Sequence, residues 1–149
     1  MIRIFVTVGT TKFDSLIKYI DENFINSAYE IKMQIADGSY VPKNFFYFRF
    51  DENIERFYKE SDVIITHAGA GTIYRLLELE KKFIIVPNLE RKDKHQLDIA
   101  NFMKNNDYAK VVMNFNEIEP AIKEILFRKF KKFKKENFFL TRQIIQFLT

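Results

Sequence analysis

The sequence predicts a single α/β domain in which an open parallel sheet is covered by helices on both faces. Most of the predicted strands are continuous apolar and β-branched runs, without the polar alternation of a sheet that has one face in water, and the strand at residues 30–36 is predicted from its alternation. They alternate with segments whose apolar residues recur at helical spacing. The length of 149 residues is enough for one domain with a hydrophobic core.

The first half of the chain predicts four strands and two helices. Residues 2–8 read IRIFVTV and form the first strand, which Gly9-Thr10-Thr11 ends before a helix that reaches about Phe24. Further strands are predicted at residues 30–36, 45–48 and 63–66, with an amphipathic helix around Phe57 before the last of them. The pattern is that of a Rossmann-like sheet, which binds ligands beyond the carboxyl ends of its strands.

The second half continues the alternation of strands and helices. It predicts helices at residues 71–80 and 94–104, strands at 83–86 and 110–113, and a long helix from Asn116 to about Lys135. Asp93 suits the N-cap of the second of these helices. We expect residues 1–127 to form the ligand-binding body and residues 128–149 a basic amphipathic helical extension of the same domain.

Charge and composition exclude several classes of function. The net charge is +4, but residues 128–149 alone carry +6, so the body is close to neutral. A nucleic-acid-binding surface usually spreads its charge over a folded face, so we expect no nucleic-acid partner. The chain has no cysteine, which excludes disulfides and thiolate metal sites. Its two histidines, His67 and His95, form no plausible metal spacing, so no metal site is expected.

The segment from His67 to Thr72 reads HAGAGT and carries the most chemical information. Small residues at the start of a helix expose backbone N–H groups and the positive helix end, which favours a diphosphate. The segment is neither a Walker loop nor a GxGxxG fingerprint. Tight packing of helix on sheet is the structural alternative. The loop residues involved are Ala68, Gly69, Ala70, Gly71 and Thr72.

Three further segments have both a structural and a functional interpretation. Gly9, Thr10 and Thr11 form either an ordinary strand-to-helix turn or an anion-contacting loop. His67, at a strand end, more often bonds neighbouring backbone than acts in catalysis. His95 and Gln96 open a helix on the ligand side of the sheet, where they suit sugar hydroxyls.

Three motifs in order resemble the glycosyltransferase family 28 C-terminal domain. They are IFVTVGTT, SDVIITHAGAGTI and VPN followed by DKHQLDIA, and the resemblance runs from about residue 2 to residue 113. It is strongest to stand-alone members, namely the catalytic subunit of the dolichol-linked GlcNAc transferase and the PssE-type subunits of exopolysaccharide and capsule synthesis. The resemblance implies the C-terminal half of a GT-B glycosyltransferase.

The resemblance also implies roles for particular residues. The first loop, at Gly9, Thr10 and Thr11, would face the interdomain cleft, and residues 67–72 would wrap the diphosphate of a UDP-sugar. Backbone near Phe50 and Asp51 would contact the uracil, and His95 and Gln96 would lie near the donor sugar. UDP-sugar would be the donor substrate, and no cofactor is expected.

One position departs from the family pattern. Members usually place a Glu three residues after the Thr or Ser of the glycine loop, where it binds the ribose hydroxyls, and this chain has Arg75 there. Glu78, one helical turn later, is a candidate substitute. Arg75 therefore also favours the alternative that the chain is a non-catalytic interaction module that has kept the fold.

Stand-alone members of the family are half of an enzyme. The resemblance implies a membrane-associated partner that binds the acceptor, a lipid-linked saccharide, and supplies the general base. The chain would then be cytoplasmic and recruited to the inner face of the membrane. Residues 128–149 mix lysines with phenylalanines, and three roles stay open: packing on their own domain, docking to the partner, or peripheral contact with an anionic membrane.

Overall fold

A computed structural model describes residues 1–25, 27–91 and 95–128 of the chain. Six parallel strands form one sheet in the order β3-β2-β1-β4-β5-β6. The strands are β1 (Ile2–Thr7), β2 (Tyr29–Gln34), β3 (Phe46–Phe48), β4 (Val63–Thr66), β5 (Phe83–Ile85) and β6 (Lys110–Val111). The helices are α1 (Asp14–Asn23), α2 (Glu55–Glu60), α3 (Ala70–Glu78), α4 (His95–Asn105) and α5 (Ile118–Phe127), with a 3-10 turn at Phe115–Glu117.

Strand β1 lies in the middle of the sheet and is buried on both faces. Its residues Ile4 and Val6 point into one hydrophobic core, which also contains the apolar sides of α1 and α5. Phe5 points into a second core on the opposite face, together with residues of α2, α3 and α4. Alternate side chains of a strand point to opposite faces, so an unbroken apolar run needs a core on each. The predicted parallel sheet with helices on both faces is confirmed.

The connection from β2 to β3 differs from the predicted alternation, because no helix forms in residues 35–45. The buried carboxylate of Asp21 on α1 holds this loop instead. It accepts hydrogen bonds from the Tyr40 hydroxyl at 2.6 Å and from the backbone N–H groups of Lys43 and Asn44, both at 2.9 Å. Burial raises the pKa of Asp21, but these hydrogen bonds to the ionised form outweigh it and leave the pKa lowered.

The long helix predicted to reach about Lys135 is wrong at its end. Helix α5 ends at Phe127, and Arg128 has an extended backbone with φ −91° and ψ 139°. The Arg128 guanidinium pairs with Glu124 and with Asp107, which follows α4. The predicted extension, residues 128–149, lies outside the described residues beyond Arg128. The predicted cap Asp93 and residue 94 also lie outside them.

Candidate functional site

The loops that follow the carboxyl ends of β1 to β4 surround a cleft of about 390 Å³. Parallel strands present these ends along one edge of the sheet, where open α/β folds bind ligands. The cleft lies between the β1 loop, the exit of β3, and the helices α2 and α3. Its lining residues are Thr7, Gly9, Thr10, Gln34, Phe50, Asp51, Glu52, Ile54, Tyr58 and Thr72.

Gln34, the last residue of β2, holds two segments at the cleft in place through the hydrogen bonds of its side chain. Its buried side-chain oxygen accepts hydrogen bonds from the Thr7 hydroxyl at 2.7 Å and from the N–H groups of Val8 and Gly9 at 3.0 and 3.1 Å. Its amide nitrogen donates to the carbonyls of Gly9 and Arg49, both at 2.8 Å. One amide side chain thus ties the β1 loop to the exit of β3.

His67 lies between two glycine backbones. A Cβ atom built on Gly9 would lie 2.5 Å from Cε1 and Nε2 of the His67 ring, and one built on Gly69 would lie 2.0 Å from Nε2. Gly9 also has φ +73°, in the left-handed region that favours glycine. Any side chain at either position would meet the ring, so these two glycines make room for His67.

The His67 ring is neutral near pH 7. The residue is 7% exposed, and burial lowers the pKa of the imidazole to about 4. The charge of Arg91 lowers this pKa further, and a hydrogen bond to the Thr7 backbone opposes the shift. The Thr66 hydroxyl lies 3.3 Å from Nδ1. His67 is therefore an uncharged ring that shapes the loop, as the structural interpretation of a strand-end histidine expects.

The glycine loop leads directly into α3. Gly69 is the N-cap residue, and it has no side chain with which to cap the helix. Gly71 is exposed in the first turn, while Ala68 and Ala70 are buried in the core beneath it. The free N–H groups and the helix dipole make this end positive, next to the cleft that Thr72 lines. The arrangement suits a diphosphate.

Gln96 connects the glycine loop to the end of β5. Its buried side-chain oxygen accepts hydrogen bonds from the N–H groups of Ala68 at 3.0 Å and Asn88 at 2.8 Å. The Asn88 amide in turn donates to the Lys12 carbonyl at 3.1 Å. Gln96 thus positions two loops, while the neighbouring His95 is exposed at the start of α4. Contact of this pair with a sugar stays a prediction.

Arg75 joins α3 to α2 through a two-pronged ion pair. Its Nε and Nη2 atoms donate to the two carboxylate oxygens of Glu55 at 2.6 and 2.7 Å. Nη1 lies 3.6 Å from a Glu78 oxygen, so Glu78 is a partner of Arg75 as well. The Arg75 and Glu55 side chains are 39% and 37% exposed. On the same helix α2, Tyr58 is buried and hydrogen-bonds with Thr72 and Thr7.

Two groups of residues at the cleft differ in how they are held. We call the interlocked group the floor, formed by Gly9, Gln34, His67 and Gly69, and the half-open group the rim, formed by Phe50, Asp51, Glu55 and Arg75. Of the predicted residues, the structure brings five into the lining of the cleft, and the others, including the half-buried Thr11, are not among its lining residues. The five are Gly9, Thr10, Phe50, Asp51 and Thr72.

Gln34 and Tyr58 both line the cleft but were not predicted from the sequence as site residues. Gln34 carried one signal, because a lone amide at the end of a buried strand needs hydrogen-bond partners inside the protein. Tyr58 resembled any apolar residue of an amphipathic helix.

Within the described residues, no group of three or more His, Cys, Asp or Glu side chains is placed to hold a metal ion. In that part of the chain, every helix is also too short or too polar to cross a bilayer.

Residues 3–143 match the model of the glycosyltransferase family 28 C-terminal domain. The UDP-N-acetylglucosamine transferase subunit ALG13 of Mus musculus is 32% identical over 113 residues, which cover 67% of this chain and 10% of that protein. The subunit of the same name from Debaryomyces hansenii is 28% identical over 148 residues, covering 83% of this chain and 70% of that protein. The chain thus spans about a tenth of the mouse relative and most of the yeast one.

Solved structures agree with the fold. An NMR structure of ALG13 superposes with a TM-score of 0.67 at 20% identity, covering 97% of this chain and 96% of that one. The crystal structure of Acinetobacter baumannii MurG gives a TM-score of 0.61 at 19% identity, covering 99% of this chain and 47% of that one. The fold therefore occurs both as a separate chain and as about half of a longer one.

Proposed function

The chain belongs to the glycosyltransferase family 28 C-terminal domain family, and from this premise we propose that it is the donor-binding subunit of an inverting, UDP-sugar-dependent glycosyltransferase. The observation that carries the proposal is the cleft beside the start of α3. There the positive helix end, with Gly69 as its N-cap, stands next to a pocket lined by Phe50, Ile54 and Tyr58. A helix end suits a diphosphate, and an apolar slot suits a nucleobase.

In this proposal, residues 67–72 bind the diphosphate and the β3 exit at Phe50 and Asp51 binds the uracil. His95 and Gln96 stand near the donor sugar. The helix end stabilises the charge that develops on the departing UDP, so the reaction proceeds without a cofactor or metal ion. The relatives named UDP-N-acetylglucosamine transferases support a UDP-sugar donor.

We also propose that a membrane-associated partner binds the acceptor and supplies the general base. Inverting transfer needs a base within hydrogen-bond reach of the acceptor hydroxyl. His67, the histidine nearest the cleft, is buried with its pKa lowered by burial to about 4, and it serves as a packing element. The match of this chain to 47% of the MurG chain supports a two-part architecture.

The acceptor in this proposal is a lipid-linked saccharide of exopolysaccharide or capsule synthesis. The subunit then works in the cytoplasm, at the inner face of the membrane to which its partner recruits it. The charge of +6 on residues 128–149 supports an additional peripheral contact with anionic lipid or with the partner.

The second candidate is a non-catalytic interaction module. The observation that favours it is Arg75, whose guanidinium is held by Glu55 at the rim where family members usually have a ribose-binding Glu. Such a module would keep the fold without binding a nucleotide. The two candidates therefore differ in whether UDP binds.

Calorimetric titration of the purified chain with UDP distinguishes them. We expect binding by the wild-type chain and its loss in Gly71→Asp, because the new carboxylate enters the first turn of α3, where it repels the diphosphate. The matched control is Asn101→Asp, which adds the same charge on the exposed side of α4. Equal binding of UDP by all three chains would show that the diphosphate does not bind at the glycine loop. No binding by the wild-type chain at millimolar UDP would favour the interaction module.

A further inference from the structure

The ion pair between Arg75 and Glu55 has a geometry that leaves the carboxylate available to a ligand. Each oxygen of Glu55 accepts one hydrogen bond from the guanidinium, at 2.6 and 2.7 Å. An ionised carboxylate has about four acceptor positions, so both oxygens keep capacity for a further donor. The Glu55 side chain is 37% exposed, so that capacity faces solvent.

The pair stands beside the cleft. Ile54 lines the cleft immediately before Glu55, and Thr72 lines it three residues before Arg75, on the same side of α3. Burial raises the pKa of Tyr58, another lining residue, and the negative charge of Glu55 raises it further. The Glu55 carboxylate is therefore close enough to act electrostatically on a group inside the cleft.

The charge of the cluster selects the kind of ligand group that it can bind. Arg75 and Lys59 both act on Glu55, and Glu78 is a second carboxylate partner of Arg75, so these four side chains together carry no net charge. This end of the cleft therefore offers phosphate no net attraction, while the carboxylate oxygens of Glu55 accept hydrogen bonds from neutral donors. Two adjacent oxygens that are held in one plane by a guanidinium fork match two adjacent hydroxyl groups.

We propose that Glu55 is the specificity-determining acceptor for the vicinal diol of the nucleoside ribose, and that Arg75 is a positioning residue that holds its carboxylate. The proposal rests on the donor-binding function proposed above and assigns the ribose to the rim between α2 and α3. The hydrogen bonds from Arg75 also hold the pKa of Glu55 below its ordinary value, so the acceptor is ionised at neutral pH.

The test compares UDP with 2′-deoxy-UDP and 3′-deoxy-UDP by calorimetric titration of the full chain. We expect the wild-type chain to bind each deoxy nucleotide about tenfold or more weakly, as the loss of a hydrogen bond to a charged group predicts. In Glu55→Gln the preference for UDP should fall to about twofold, and in Arg75→Gln it should fall part of the way. The control Glu124→Gln breaks ion pairs with Lys110 and Arg128, and it should keep the wild-type preference.

Each result has a distinct meaning. A merely structural role for the pair would weaken all three nucleotides equally in Glu55→Gln and would overturn the inference. Equal binding of UDP and the deoxy nucleotides by the wild-type chain would also overturn it, while the donor-binding function would stand. Failure of the wild-type chain to bind UDP would overturn both.

Discussion

The floor and the rim of the cleft are built by different physical means. In the floor, Gln34 makes five hydrogen bonds and the His67 ring fills the space between two glycines. At the rim, Glu55 and Arg75 form a half-exposed ion pair. Buried and interlocked groups contribute much to stability, whereas exposed ion pairs contribute little. Changes in the floor should therefore affect folding, and changes at the rim should affect the choice of ligand.

The largest effect is expected for Gln34→Leu. The substitution leaves the Thr7 hydroxyl and the N–H groups of Val8 and Gly9 without their acceptor, and two carbonyls without a donor. We expect a loss of about 3–5 kcal/mol in the free energy of unfolding, measured by urea denaturation. Gln96→Leu removes an acceptor from two N–H groups and should cost less. A loss below about 1 kcal/mol for Gln34→Leu would contradict the role of the floor.

The second largest effect is the loss of stability that the buried His67 causes at acid pH. Its pKa is lowered by burial to about 4 from an ordinary 6.5, so the unfolded chain binds a proton in this interval and the folded chain does not. Stability should therefore fall as the pH drops from about 6.5 to about 4, by roughly 3 kcal/mol, and this contribution should level off below that.

Urea denaturation across this pH range measures the effect, with the two histidines as a matched pair. His67→Gln should remove the loss that the imidazole causes between pH 6.5 and 4. His95→Gln, on the exposed start of α4, should leave it unchanged. If the free energy of unfolding falls equally with pH in the wild-type chain and in His67→Gln, the ring takes up its proton in the folded protein over this pH range, and the expectation is wrong.

The smallest effect on stability is expected at the rim. Arg75→Gln removes an ion pair whose side chains are 39% and 37% exposed, so the free energy of unfolding should change far less than in Gln34→Leu. Denaturation in urea at pH 7 checks this expectation. A loss as large as that of Gln34→Leu would mean that the rim, too, is a structural element, and the comparison between the two regions would fail.

The fold could be predicted from the sequence because its signals are local. The apolar run that the structure buries on both faces extends from Ile4 to Val8, and glycines mark the turns into α1 and α3. These signals fixed the sheet, the helices and the edge that carries the cleft. The end of α5 was missed because no glycine or proline follows Phe127, and the pairing of Arg128 with Asp107, far away in the chain, leaves no mark in the local pattern.

Within the site, the sequence identified loops and missed the contacts between them. Gly9 and Gly69 were predicted as ligand-contacting glycines, and the structure adds a second reason for them, because a Cβ built on either would meet the His67 ring. Gln34 meets the β1 loop 25 residues away, and Arg75 meets Glu55 20 residues away. Such encounters follow from how the strands lie beside one another, which spacing along one segment does not report.

The central position of β1 has a consequence for the nascent chain during its synthesis on the ribosome. The first strand pairs with β2 on one side and with β4, residues 63–66, on the other, so its second partner is synthesised much later than its first. Until that later stretch has emerged, the edge of β1 that faces β4 has unpaired backbone groups, and the side chains of Ile4, Phe5 and Val6 lack the core neighbours that follow in the chain. Over that interval the nascent chain exposes an apolar strand with one unpaired edge, which is an aggregation-prone feature until residues 63–66 cover it.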